Sequence, residues 1–154
     1  MFLALALDAL AIPAQSLVAG ALGSDDIDGA QRVGWISNRL SLWCGALLAI
    51  VLAAASPLIP HLFSGDDAVR SRLTGGLLLL AIMQLPGAVA FALDGALIGA
   101  HDERFLGRQA VLNLIGFVPL ALATLIEPGL GLAGLWGAQL MWMFLRATVN
   151  WRRW

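Results

Sequence analysis

Two carboxylates interrupt long apolar runs: Asp8 inside Met-Phe-Leu-Ala-Leu-Ala-Leu-Asp and Asp94 inside Ala-Phe-Ala-Leu-Asp-Gly-Ala-Leu. An acid inside a membrane segment is costly, and by default it marks an ion or substrate path. The competing reading is that each acid sits near a helix end and reaches water, or bonds a neighbouring helix. Asp8 lies about two turns from the start of its run, and Asp94 about two turns from the end of its own. Gln15, Gln84, Asn113 and Gln139 are polar but uncharged. Such residues make interhelical hydrogen bonds worth ~0.6 kcal/mol on average, or line a water-filled cavity. Asp8, Gln15, Gln84 and Asp94 are therefore the candidate residues of a cation or substrate path. Arg146, near the end of another apolar run, is expected to snorkel to the membrane interface.

Other chemistry has no residues to carry it. There is no glycine-rich phosphate loop, no Ser-His-Asp set and no paired carboxylates in one cleft. His61 and His101 are far apart, and no Cys-x-x-Cys or His-x-x-x-His spacing occurs. Cys44 is the one cysteine and reads as a small buried apolar residue. The expectation is no enzyme, no metal and no cofactor. All nine basic residues are Arg and the net charge is −1, so no basic excess is available for nucleic acid.

The elements that must position these residues are membrane helices. Of 154 residues, 60% are hydrophobic and 12% charged, with a mean hydropathy of +0.84. Soluble domains carry about twice that charged fraction, and too little polar surface remains here to cover a globule. Period-two alternation is absent, which excludes a membrane β-barrel. A span needs ~20 apolar residues, and five stretches approach this: 1–22, 40–63, 73–100, 110–126 and 130–149. The reading is an all-α polytopic membrane bundle of five helices. Polar loops are expected at 24–39, 64–72 and 101–109, and a tight Glu127-Pro128-Gly129 turn makes a hairpin of the last two helices.

Arginine placement orients the bundle. Arg32, Arg39, Arg104, Arg108, Arg146, Arg152 and Arg153 fall on one side, Arg70 and Arg72 on the other. The richer side, with the C-terminus, is expected to be cytoplasmic, and Trp151 and Trp154 anchor it at the interface. Met1 then lies outside, which is odd for a complete chain and points to helices missing upstream. A signal peptide does not fit, because the basic n-region is absent and Asp8 interrupts the apolar run. Pro13, Pro57, Pro60, Pro86 and Pro119 favour bent helices, which suit a transporter more than a simple anchor. Gly95 and Gly99 form a GxxxG, expected to serve intramolecular packing. Residues 6–12 faintly echo 92–98, as an internal repeat would.

Residues 2–23, Phe-Leu-Ala-Leu-Ala-Leu-Asp-Ala-Leu-Ala-Ile-Pro-Ala-Gln-Ser-Leu-Val-Ala-Gly-Ala-Leu-Gly, and 90–106, Ala-Phe-Ala-Leu-Asp-Gly-Ala-Leu-Ile-Gly-Ala-His-Asp-Glu-Arg-Phe-Leu, are more specific than composition. Together they resemble the multidrug and toxic-compound extrusion (MATE) transporters, in the DinF-like branch. There the later motif typically reads Leu-Asp-Gly, two apolar residues, Ile-Gly-Ala-Gly-Asp; His101 stands in place of that last Gly. The 129–137 run resembles the turn into the family's last helix. The resemblance implies the last five helices of a twelve-helix fold, part of an antiporter that exports organic compounds against H⁺ or Na⁺. It implies a multi-pass protein of the cell (inner or plasma) membrane. The implied partners are membrane lipid, a small organic substrate and a missing N-terminal lobe or separate half-transporter. Five helices alone should not transport, because alternating access needs two halves. Asp94 matches the branch motif, but no cation-binding role transfers to it. A small self-assembling or accessory membrane protein is one alternative. A fragment of a related lipid or polysaccharide flippase is another.

Overall fold

The computed structural model describes residues 2–127 and 131–154. Six helices and no strand occur among them: α1 (Phe2–Gly23), α2 (Ile27–Ala55), α3 (Ile59–Phe63), α4 (Asp67–Gly99), α5 (Glu103–Ile126) and α6 (Gly131–Arg153). The all-α membrane bundle is thus observed. α1, α2, α4 and α5 are each long and apolar enough to cross a membrane. α6 has the length, at 23 residues, but carries Gln139, Arg146 and Asn150 in its interior. The expected turn at Glu127-Pro128-Gly129 lies largely on residues outside those described.

The three polar loops are much shorter than their composition implies. Residues 24–39 are a tight turn followed by the first turns of α2. The reason is helical phase: Ala30, Gly34, Asn38, Ser41 and Gly45 form one buried stripe, while Arg32, Trp35 and Arg39 point outward. The charges occupy only the outer face, so they do not interrupt the helix. Asp26 caps α2 by accepting from the Gly29 amide at 2.8 Å. Asp66 caps α4 in the same way, accepting from Ala68 N at 2.8 Å and Val69 N at 3.3 Å. The expected 40–63 helix is divided at Ser56-Pro57-Leu58, where Pro57 offers no amide to continue the ladder. Pro13, Pro86 and Pro119 are accommodated inside helices.

Two turns at one end share a geometry. After α1, Asp25 N bonds Leu22 O and Asp26 N bonds Ala21 O. After α4, His101 N bonds Ile98 O and Asp102 N bonds Leu97 O. Both are Schellman closures, and both place a non-glycine residue in the left-handed region, Asp25 at φ 59° and His101 at φ 57°. His101 is the position where the MATE motif has Gly, and the backbone shows why Gly suits it.

α4 is the centre of the bundle. Its second half carries Gly or Ala at 87, 88, 90, 92, 95, 96 and 99, and Ala88, Ala90, Ala92, Leu93 and Ala96 are fully buried. α1 runs parallel to it with Leu7, Ala11, Ala14 and Val18 facing inward. Gly95 and Gly99 let the α1 backbone approach: a Cβ on either would collide with the carbonyl of Ala11 or Gln15. The GxxxG therefore serves intramolecular packing. α2 runs antiparallel, with Ser41 Oγ donating to Ala88 O at 3.0 Å. Beside it a Cβ on Gly45 would lie 2.7 Å from that of Ala88. α6 runs parallel to α4 on another side, and α5 packs mainly on α6. Outside, Leu40, Trp43, Leu47, Leu112 and Ile115 are exposed, an apolar surface suited to lipid.

The turns after α1 and α4 meet the end of α6: Trp154 packs on Val18, Ala30 and Ala96. The seven-arginine set therefore belongs to one half of the bundle, as its sequence positions require. Gly95→Ala should destabilise the protein by about 1–3 kcal/mol, because the opposing atom is backbone. Gly116→Ala, with nothing within 4 Å, should be neutral or stabilising by up to about 1 kcal/mol. His101→Gly should stabilise by about 1 kcal/mol, the cost of holding an L-residue left-handed. Thermal melting of the three variants in detergent checks all of these.

Candidate functional site

α1, α4, α5 and α6 enclose a cavity of about 450 Å³. Asp8 and Gln15 line it from α1, Phe91 and Asp94 from α4, Gln109 and Asn113 from α5, and Trp142 and Arg146 from α6. The small residues around Asp94 let α6 come close enough to answer its charge. Arg146 Nη2 is paired with Asp94 Oδ2. Asn150 Nδ2 donates to Asp94 Oδ1 at 2.7 Å and lies 3.3 Å from Ala90 O. Asn150 is fully buried and Asp94 is 8% exposed, so the carboxylate is satisfied on both oxygens before anything enters the cavity.

Arg146 is thus an ion-pair partner and does not snorkel, contrary to the sequence expectation. The physical reason is register: α6 lies parallel to α4 and brings the guanidinium level with Asp94. Reaching for water would leave a buried carboxylate unpaired. The guanidinium carbon lies 5.7 Å from the Phe91 ring centre, a cation–π distance. Gln109 Nε2 bonds Arg146 O at 3.2 Å, fastening α5 to the same turn of α6.

Asp8 lies on the margin of the α1 face that packs on α4, next to Leu7. It is half-buried and has no ion-pair or hydrogen-bond partner among the described residues. Gln15, two turns on, is exposed at the same margin. The two acids and Gln15 are thus brought together. Asp8 is flanked by the second half of α4, since Leu7 is opposite Gly87 and Ala11 opposite Gly95.

Gln84 is elsewhere. It is 4% exposed, its amide donates to Leu80 O at 3.0 Å, and its backbone carbonyl would meet a Cβ on Gly45 of α2 at 2.8 Å. Ten residues separate it from Asp94, about 280° of helical rotation and two to three turns, so it faces α2. Asn150 and Gln109 went unrecognised in the sequence. A signal for Asn150 existed: Trp142, Arg146 and Asn150 recur every four residues and make one stripe on α6. Gln109 was hidden by the charges of the expected 101–109 loop. Among the described residues no group of three His, Cys, Asp or Glu side chains could hold a metal ion.

The profile of the MatE family matches residues 1–126. Protein DETOXIFICATION 45, chloroplastic, of Arabidopsis thaliana is 32% identical over 146 residues, covering 95% of this chain and 26% of the relative. Protein DETOXIFICATION 44, chloroplastic, of the same plant is 34% identical over 146 residues, covering 94% and 28%. Multidrug and toxin extrusion protein 2 of Mus musculus is 25% identical over 154 residues, covering 92% and 26%. The chain spans about a quarter of the length of these relatives. No solved structure matches it.

Arg146→Gln and Asp94→Asn should each destabilise the bundle by about 2 kcal/mol. That is less than for a fully buried pair, because the side chains are 29% and 12% exposed. The double variant should cost less than the sum, since neither charge is then orphaned. Unfolding of the four proteins in mixed detergent micelles measures the coupling.

Proposed function

The chain belongs to the MatE family of transporters, and on that premise we propose that it is the C-terminal part of a DinF-like multidrug antiporter. The whole transporter would export small organic compounds in exchange for H⁺ or Na⁺. The observation that carries the reading is the charge of the cavity. Two carboxylates and one guanidinium line it; Asp94 and Arg146 answer each other, and Asp8 remains for a cation. Asp8 and Gln15 form the accessible wall of the path. Asp94 holds the path's floor through Arg146, and Gln84 serves the α2–α4 contact.

The relatives' length supports a missing lobe, supplied by the same polypeptide or by a separate half-transporter. A two-lobe antiporter moves its halves about a midplane site, and one partial lobe has no second half to rock against. The arginine-rich end, with the end of α6, faces the cytoplasm in this reading. α6 is the fifth span, its polar side chains turned inward to α4 and its lipid face left to Leu135, Met141 and Phe144. The cell membrane is its place, with lipid around the apolar outer face.

Tagging the C-terminus at the chromosomal locus and blotting the membrane fraction tests the missing lobe. A product several-fold larger than 16.2 kDa is expected. A product at 16.2 kDa would favour a half-transporter or an accessory membrane protein. In the complete transporter, Asp8→Asn should abolish efflux of an organic cation from loaded vesicles while Asp8→Glu retains it. Equal efflux from Asp8→Asn and the parent would remove Asp8 from the path.

A further inference from the structure

The last residues of α6 together with Trp154 just after it, 150–154, reach every other long helix of the bundle. Asn150 bonds α4, at Ala90 O and Asp94. Trp151 stacks edge-on against Trp35 of α2, with ring centres 4.7 Å apart. Arg153 Nε donates to Asp102 at 2.6 Å and lies over the Phe105 ring of α5, 5.3 Å from its centre. Trp154 packs into the junction of α1, α2 and α4 formed by Val18, Ala30 and Ala96. The seat is tailored on its far side: a Cβ on Gly34 would collide with the Trp154 indole.

The cavity described above begins directly beneath this junction. Its walls at that end are Gln15 of α1, Ile98 of α4 and Leu106 of α5. α1 and α5 scarcely touch each other, so nothing in their own packing sets how far apart they stand. At the turn α4 already joins them, with Gly99 against the Gln15 carbonyl and a short 100–102 link into α5. The α6 end is a second tie, holding the α1–α2 turn through Trp154 and the start of α5 through Arg153.

We infer that the end of α6 is a clasp that, beside α4, holds the cavity between α1 and α5 at its narrow width, and that seating of Trp154 against Gly34 is its closed state. The clasp is built to release. The Arg153–Asp102 pair is solvent-exposed and therefore weak. The Trp154 indole nitrogen is buried without an acceptor among the described residues, a cost that works against the seated state. Holding falls to apolar contact in a fitted seat, which is lost all at once when the ring leaves. The importance of this for transport rests on the reading proposed above; the effect on helix spacing does not.

Spin labels at Ser24→Cys and Arg108→Cys, in a Cys44→Ser background, report the distance across the cavity mouth by double electron–electron resonance, with no substrate present. The parent should give a narrow distribution. Trp154→Ala should shift it to longer distances and broaden it, and Trp154→Phe should stay near the parent. Gly34→Ala should produce the same shift as Trp154→Ala by pushing the indole out, and should add nothing in the Trp154→Ala background. Unchanged distances in Trp154→Ala would overturn the clasp. So would a Gly34→Ala effect that persists without the indole. If Trp154→Ala does not fold, Gly34→Ala against the parent decides the matter. Efflux that fails while the distances respond as expected would count against the transport reading alone.

Discussion

Three helices share one half of α4 because Gly and Ala stand at the positions where they meet it. Gly95 and Gly99 admit the α1 backbone, the Ala88 region admits α2 through Gly45, and the alanines around Asp94 admit α6. Between helices in lipid no hydrophobic force favours association, so close van der Waals contact and interhelical hydrogen bonds must hold them. The contacts made here are of that kind. The Ser41 hydroxyl on Ala88 O and the Asn150 amide on Ala90 O are polar bonds that only a near approach of backbones allows. The cavity follows from the same constraint. α5 is not admitted to α4 and packs on α6 instead, which leaves space between α5 and α1.

Asp94 turns that packing into a specific arrangement. Its two oxygens are taken by residues four apart on α6, which fixes both the rotation of α6 and its height against α4. A one-residue slip of α6 would turn these groups by about 100° and leave the carboxylate unanswered. The pair therefore contributes more to register than to net stability, the best-attested use of a buried ion pair. Asp8, in the same cavity, has no such partner among the described residues, and the two acids divide into a structural one and an accessible one. That division gives the cavity its excess of negative charge and is the physical content of the proposed cation path.

The all-helical class and the shared location of the arginine-rich turns were legible from hydropathy and charge, since both depend only on composition and order along the chain. Five helices were expected and six are described, because the 40–63 run divides at Ser56-Pro57-Leu58. Loop lengths were not. Arg32, Arg39, Arg104 and Arg108 were read as loop because a linear count of charges ignores phase, and each lies on an outer helix face. The cavity was half legible. Asp8, Gln15 and Asp94 stood out as polar residues in apolar runs. Gln84 stood out for the same reason and faces the other way, because composition does not tell which side of α4 meets α1 and which meets α2.

By itself, the sequence determined a membrane helix bundle, the polar segments between its long helices, the two acids within its apolar runs and a resemblance to a transporter family. All of these are written in composition, order and local motifs. The tertiary structure alone decided that Arg146 answers Asp94, that Asn150 completes the pair and that Trp154 closes the junction over the cavity. Each of those contacts joins residues about fifty or more positions apart or more than two helices. Their partners depend on the rotation and height of one helix against another, which small residues permit but do not spell out.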